Sequence, residues 1–70
     1  MRSEGYRRAL LSAAGEIRDS LHDLCGVVEV GEDAVQVKVW QMPTPDMERV
    51  RAIIVDVAAI HGVTVELKEE

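Results

Sequence analysis

The chain has 70 residues, 13 of them acidic and eight basic, which gives a formal net charge of −5. A negative protein is repelled by a phosphate backbone, so we expect no nucleic-acid partner. One cysteine excludes an internal disulfide, and two histidines without a second cysteine make no closed zinc site. We expect no metal and, because the glycines lack the spacing of a nucleotide loop, no cofactor.

The length predicts one small domain over residues 1–70. Such a chain hides only about 60% of the surface that its unfolded form exposes, and its core supplies about 3–5 kcal/mol. Small domains compensate with disulfides, a metal or a partner subunit, and the composition leaves only the partner. We therefore expect the protein to associate, most simply as a homodimer.

A first helix is predicted over about residues 3–24, with Ser3 as its N-cap and Gly26 as its stop. Apolar residues recur there at steps of three and four, which is the spacing of one helical face. They are Tyr6, Leu10, Ala13, Ala14, Ile17, Leu21 and Leu24. Gly15 lies inside this helix, where we expect another element to pack closely against it.

A hairpin is predicted over about residues 27–40, with its turn at residues 31–33. In its second strand Val35, Val37 and Val39 alternate with polar residues, as in a strand with one buried face.

A second helix is predicted over about residues 45–61, and a strand over 63–67 follows it. Thr44 is the expected N-cap, Pro45 suits the first turn, and Gly62 suits the left-handed position after the helix. Val63, Val65 and Leu67 then alternate with polar residues.

These elements predict an α+β fold in the order α-β-β-α-β, a two-layer sandwich with both helices on one face of a three-stranded mixed sheet. The helical crossover makes the second and third strands parallel, with a right-handed connection. We favour strand order 2-1-3, in which the first strand lies between the other two. The alternative places the third strand directly beside the second.

That arrangement leaves one face of the sheet uncovered, and we expect the protein interface there. Its predicted residues are Trp40, Lys38, Gln36, Met42 and Val27. Trp40 has three interpretations: a partner contact, a stacking platform, or a side chain folded over the rim of the core beside Met42 and Met47. A dimer could also use an exposed strand edge, such as 35–39 or 63–67.

Candidate chemistry is sparse, and we expect no enzyme and no catalytic residues. His22 and Cys25 are three residues apart, but Cys25 follows the end of its helix, where the dipole does not lower a thiol pKa. His61 suits the negative end of the second helix. Glu16, Asp19 and Asp23 could present carboxylates to a cation, although such a row is typical of a solvated helix face.

We therefore expect a small acidic cytoplasmic module that binds protein, including itself, and that acts as a regulator or as a viral protein bound to a host protein. A lone thiol fits a reducing cytoplasm, and the amino-terminal pattern is not that of a signal peptide. Two alternatives stay open. One is an enzyme or small-ligand domain that uses His22, Cys25 or His61, and the other is a nucleic-acid mimic that uses its acidic residues.

Overall fold

The computed structural model describes residues 4–23 and 26–69, which form two helices and one sheet. The elements are α1 (Glu4–Ser20), β1 (Gly26–Val30), β2 (Ala34–Val39), α2 (Thr44–His61) and β3 (Thr64–Glu69). This confirms the predicted α+β class and element order. None of the described helices combines the length and the apolar character that crossing a bilayer requires.

The central strand of the sheet is β2, so the predicted order 2-1-3 is wrong. The order is β1-β2-β3, with β1 antiparallel and β3 parallel to β2. A central strand has a neighbouring strand on each side, which shields its side chains. In agreement, Val35, Val37 and Val39 of β2 are at most 1% exposed. The 35–39 segment is therefore no edge, and the two edges of the sheet are β1 and β3.

Both helices cover the same face of the sheet, as predicted. Leu10, Ile17 and their helical neighbours from α1 meet Val50, Ile54 and Val57 from α2 in one cluster above the valines of β2. Apolar burial of this kind contributes about 25 cal/mol for each Å² removed from water. The opposite face has no helix over it among the described residues.

Helix α1 ends at Ser20, earlier than residue 24. The N–H of Leu21 donates to the carbonyl oxygens of Ile17 and Arg18, at 3.0 and 3.3 Å, which closes the last turn. Gly26 is no helix stop but the first residue of β1, paired with Val39. A Cβ there would lie 3.1 Å from the carbonyl oxygen of Lys38, so glycine permits this close strand pairing. Ser3 and Leu24 lie outside the described residues.

Helix α2 begins at Thr44, and the predicted Thr44 side-chain cap is absent: Pro43 takes the cap position without a side-chain hydrogen bond. The other end agrees with the prediction. Gly62 has φ 65° and ψ 35°, and its N–H donates to the carbonyl oxygen of Ala58. Strand β3 then extends to Glu69, beyond the predicted end at 67, and Glu69 accepts a hydrogen bond of 2.6 Å from Arg51.

Gly15 has no close neighbour to explain it. A Cβ built at this position would meet nothing within 4 Å outside its own helix, so the predicted close packing against this turn is wrong.

Candidate protein-interaction surface

Strand pairing places every second side chain of the sheet on the uncovered side, which we call the open face. In β2 these are the residues that alternate with the buried valines, and the register adds their neighbours on β1 and β3. The open face consists of Val27, Glu29, Ala34, Gln36, Lys38, Thr64, Glu66 and Lys68. Three predicted interface residues, Val27, Gln36 and Lys38, therefore lie together on one surface.

Two adjacent rows run across the three strands of the open face. Gln36 lies between Glu29 and Glu66, and we call these three the acidic row. Lys38 lies between Val27 and Lys68, which form the basic row. Gln36 and Lys38 are two residues apart on one strand, so the rows are about 6.6 Å apart.

Only part of this charge is paired within the chain. Lys38 Nζ lies 3.3 Å from Glu29 Oε1, a diagonal contact between β2 and β1. Glu66 and Lys68 form no ion pair with any residue that the structure describes. As far as residues 4–23 and 26–69 go, the two charged groups on the outer strand β3 are therefore available to meet groups from another molecule.

Trp40 and Met42, the other two predicted interface residues, lie at the end of the sheet. Trp40 follows β2 directly, is 46% exposed and lines a hollow of about 260 Å³ with Met42 and Met47. Val39 and Glu69, which point to the helix side, line the same hollow. Trp40 thus borders both the open face and the rim of the core.

The two histidines of the enzyme hypothesis have separate partners in the structure. The Nδ1 atom of His22 lies 2.8 Å from the carbonyl oxygen of Asp19 in the last turn of α1. The Nε2 atom of His61 lies 2.8 Å from Glu16 Oε2, which joins the end of α2 to α1. Cys25 lies outside the described residues. The contact between His61 and Glu16 spans 45 residues, and no sequence signal indicated it.

Glu16 in α1 and Asp23 just after it, two of the carboxylates considered for a cation, have different partners. Glu16 contacts His61, and Asp23 lies 3.4 Å from Arg49 Nη1. Backbone hydrogen bonding at Asp23 and the Arg49 guanidinium together hold the pKa of the Asp23 carboxyl below its usual value of 3.8. Within residues 4–23 and 26–69, no three His, Cys, Asp or Glu side chains are grouped to hold a metal ion.

A hollow of about 380 Å³ lies between the end of α1 and β1, lined by Arg18, Leu21, His22 and residues 26–28 and 37. Residues 24 and 25, which connect its lining residues along the chain, lie outside the described part of the chain, so we assign no site to it.

Helix α2 exposes two large apolar side chains that the sequence pattern did not single out. Val55 is 66% and Ile60 73% exposed. At 3.6 residues per turn, a spacing of five residues turns them about 140° apart around the helix. They therefore form no joint patch, and singly exposed apolar residues are ordinary on protein surfaces.

Comparison with known proteins gives no relative. No protein-family model matches the chain, and neither a curated protein nor a solved structure is similar to it at a significant level. The functional argument therefore depends on the chain's own surfaces.

Proposed function

We propose that this chain is a small cytoplasmic protein-interaction module that associates with a second copy of itself through the open face. The observation that carries the proposal is the charge of this face. The whole chain has a net charge of −5, yet the open face carries two carboxylates, Glu29 and Glu66, and two ammonium groups, Lys38 and Lys68. A second acidic copy can therefore approach this face without local charge repulsion.

Apolar groups on and beside the face support the same proposal. Val27 is 43% exposed in the basic row, and Trp40 is 46% exposed at the end of β2. Tryptophan is enriched among the residues that dominate binding energy at interfaces. The exposed Val55 and Ile60 of α2 lie far apart around their helix, so α2 is a weaker candidate for the dimer interface than the open face.

The size of the face indicates a weak dimer. Three strands about 4.8 Å apart and five or six residues long, at about 3.3 Å per residue, cover an area of at most about 14 by 20 Å. Two such faces bury less than the roughly 1,200 Å² of a stable specific interface. We expect dissociation in the micromolar range, so dimers form at high protein concentration.

Sedimentation equilibrium over a concentration series tests the proposal. We expect the wild-type chain to pass from monomer to dimer as its concentration rises. The double variant Val27→Ser, Trp40→Ala should stay mostly monomeric, because it removes the apolar contacts of the face. Because Trp40 also borders the core, Val27→Ser is measured alone as well, and circular dichroism checks folding.

The matched control removes two exposed apolar side chains from α2 with Val55→Ser and Ile60→Ser. We expect it to dimerise as the wild type does. A wild-type chain that remains monomeric at near-millimolar concentration contradicts self-association. If the α2 variant loses the dimer and the open-face variant keeps it, the interface has been assigned to the wrong surface.

A further inference from the structure

The open face matches itself in charge when it is turned about an axis across its strands. The acidic row and the basic row lie side by side, and each contains one residue from each strand. A two-fold axis that runs across the strands, midway between the rows and just above the face, exchanges their positions. It places the acidic row of one copy over the basic row of the other.

We infer that two copies dock with this symmetry, so that Glu66 of each copy pairs with Lys68 of the other. The inference rests on the proposed function, because it specifies how the open face meets its second copy. The axis keeps each strand over its own counterpart, so β3 lies over β3. Gln36 then faces Lys38 of the other copy, and its amide oxygen can accept a hydrogen bond from that ammonium group.

The ion pairs within the chain agree with this assignment. Glu29 and Lys38 already neutralise each other at 3.3 Å, so neither needs a charged partner across the interface. In the docked pair, Glu29 faces Val27, an apolar residue. Among the charged residues of the open face, Glu66 and Lys68 form no ion pair within the described part of the chain, and they are the two that the axis brings together.

Sheet geometry permits the contact. Stacked sheets lie about 10 Å apart, so long side chains from both faces meet between them. Twist makes stacked sheets cross at about 30°, which displaces a strand next to the centre by about 2–3 Å. The flexible Lys68 side chain can follow such a displacement, and this symmetry yields two identical ion pairs in each dimer.

Two charge-reversal variants, each measured by itself, test the inference. Glu66→Lys would place two lysines opposite each other at both contacts, and Lys68→Glu would do the same with two carboxylates. We expect each variant to bind itself about tenfold or more weakly than the wild type, because facing like charges are repulsive. Sedimentation equilibrium measures both, and thermal unfolding checks that each is folded.

The decisive sample is the equimolar mixture of the two variants. One copy then carries lysine at 66 and 68 and the other carries glutamate at both, so every crossing contact joins opposite charges. We expect the mixture to dimerise about as tightly as the wild type. Glu48→Lys, on the exposed side of α2, serves as the control and should leave the dimer unchanged.

The outcomes separate the inference from the proposed function. A wild-type chain that does not dimerise overturns both. A wild-type dimer that persists with unchanged affinity in Glu66→Lys overturns the inferred pairing and leaves self-association standing. Two weakened variants whose mixture stays monomeric also overturn it, because the loss would then come from something other than the predicted contact.

Discussion

His61 Nε2 lies 2.8 Å from a carboxylate oxygen of Glu16, and this contact joins the last turn of α2 to a point about one turn before the end of α1. His61 is the more sheltered partner, with 22% of its side chain exposed against 49% for Glu16. The pair connects the two helices on the outer side of the core. It gives a structural role to a histidine that the sequence alone also allowed as a catalytic candidate.

We expect His61→Ala and Glu16→Ala each to lower the free energy of unfolding by about 0.5–1 kcal/mol, because each removes one side of a partly exposed pair. The double variant should lose less than the sum of the two, because the second change has no contact left to remove. Urea denaturation measures all three. Strictly additive losses would show that the contact contributes nothing to stability.

We expect the Asp23 carboxylate to make a contribution to the free energy of unfolding that is lost in acid. Backbone hydrogen bonding and Arg49 hold its pKa below the usual 3.8, so the carboxylate is favoured in the folded state. A group with a lowered folded pKa stabilises above its unfolded pKa and loses that contribution as pH falls through its folded pKa. Wild type should therefore exceed Asp23→Asn in stability near neutral pH and converge with it below about pH 4.

Urea denaturation at a series of pH values checks the convergence. Arg49→Met is the companion variant, since it removes the guanidinium that contributes to the lowered pKa. The loss of stability caused by Asp23→Asn should be smaller in that background than in the wild type. A loss that is constant with pH would contradict the assignment.

Gly15 is a site where stability can be gained. An added Cβ would meet nothing within 4 Å, so Gly15→Ala should raise the free energy of unfolding by about 1 kcal/mol through its higher helix propensity. Gly62 is the matched control, since it is equally open but has φ +65°. Gly62→Ala should destabilise by about 1 kcal/mol. Equal effects at the two positions, measured by urea denaturation, would contradict this explanation.

Val28 and Val37 test the strand order directly, because they face each other across β1 and β2. Val37 is fully buried, whereas Val28 is only half-buried. We expect Val37→Ala to cost about 2 kcal/mol and Val28→Ala about half as much or less. The reverse ranking in chemical denaturation would favour β1 as the central strand.

The faces of the elements were predictable from the sequence, whereas the neighbours of each strand were not. Alternation along 35–39 identified the buried side of β2 and thereby placed Gln36 and Lys38 on the other side. Alternation says nothing about which strands lie beside β2, because β1 and β3 also carry apolar residues at alternate positions. The choice depends on how deeply each strand is buried, which is a property of the assembled sheet.

One helix end was predicted correctly from the sequence, and another was not. Gly62 was predicted correctly because its left-handed backbone is a local property. The end of α1 at Ser20 was missed, since its carbonyl oxygen accepts a hydrogen bond of 3.1 Å from Arg49, which is 29 residues away. Gly26 resembled a helix stop locally, but strand pairing determines its position.

The candidate surface was predictable in part. The alternation of side chains along each strand placed Val27, Gln36 and Lys38 on one face. The register between the strands was needed to show that Glu66 and Lys68 complete two rows of opposite charge. Trp40 was singled out by its residue type. The sequence left three interpretations of it open, and the structure places it beside Met42 and Met47, as one of them has it.

The most direct test of the central claim follows backbone amide resonances by NMR as the protein is concentrated from low micromolar to near-millimolar. Dimerisation through the open face predicts concentration-dependent shifts at Val27, Gln36, Lys38, Glu66 and Lys68, with Val55 and Ile60 on α2 unchanged. Resonances that stay fixed across the whole series, or shifts confined to the exposed side of α2, would contradict the claim.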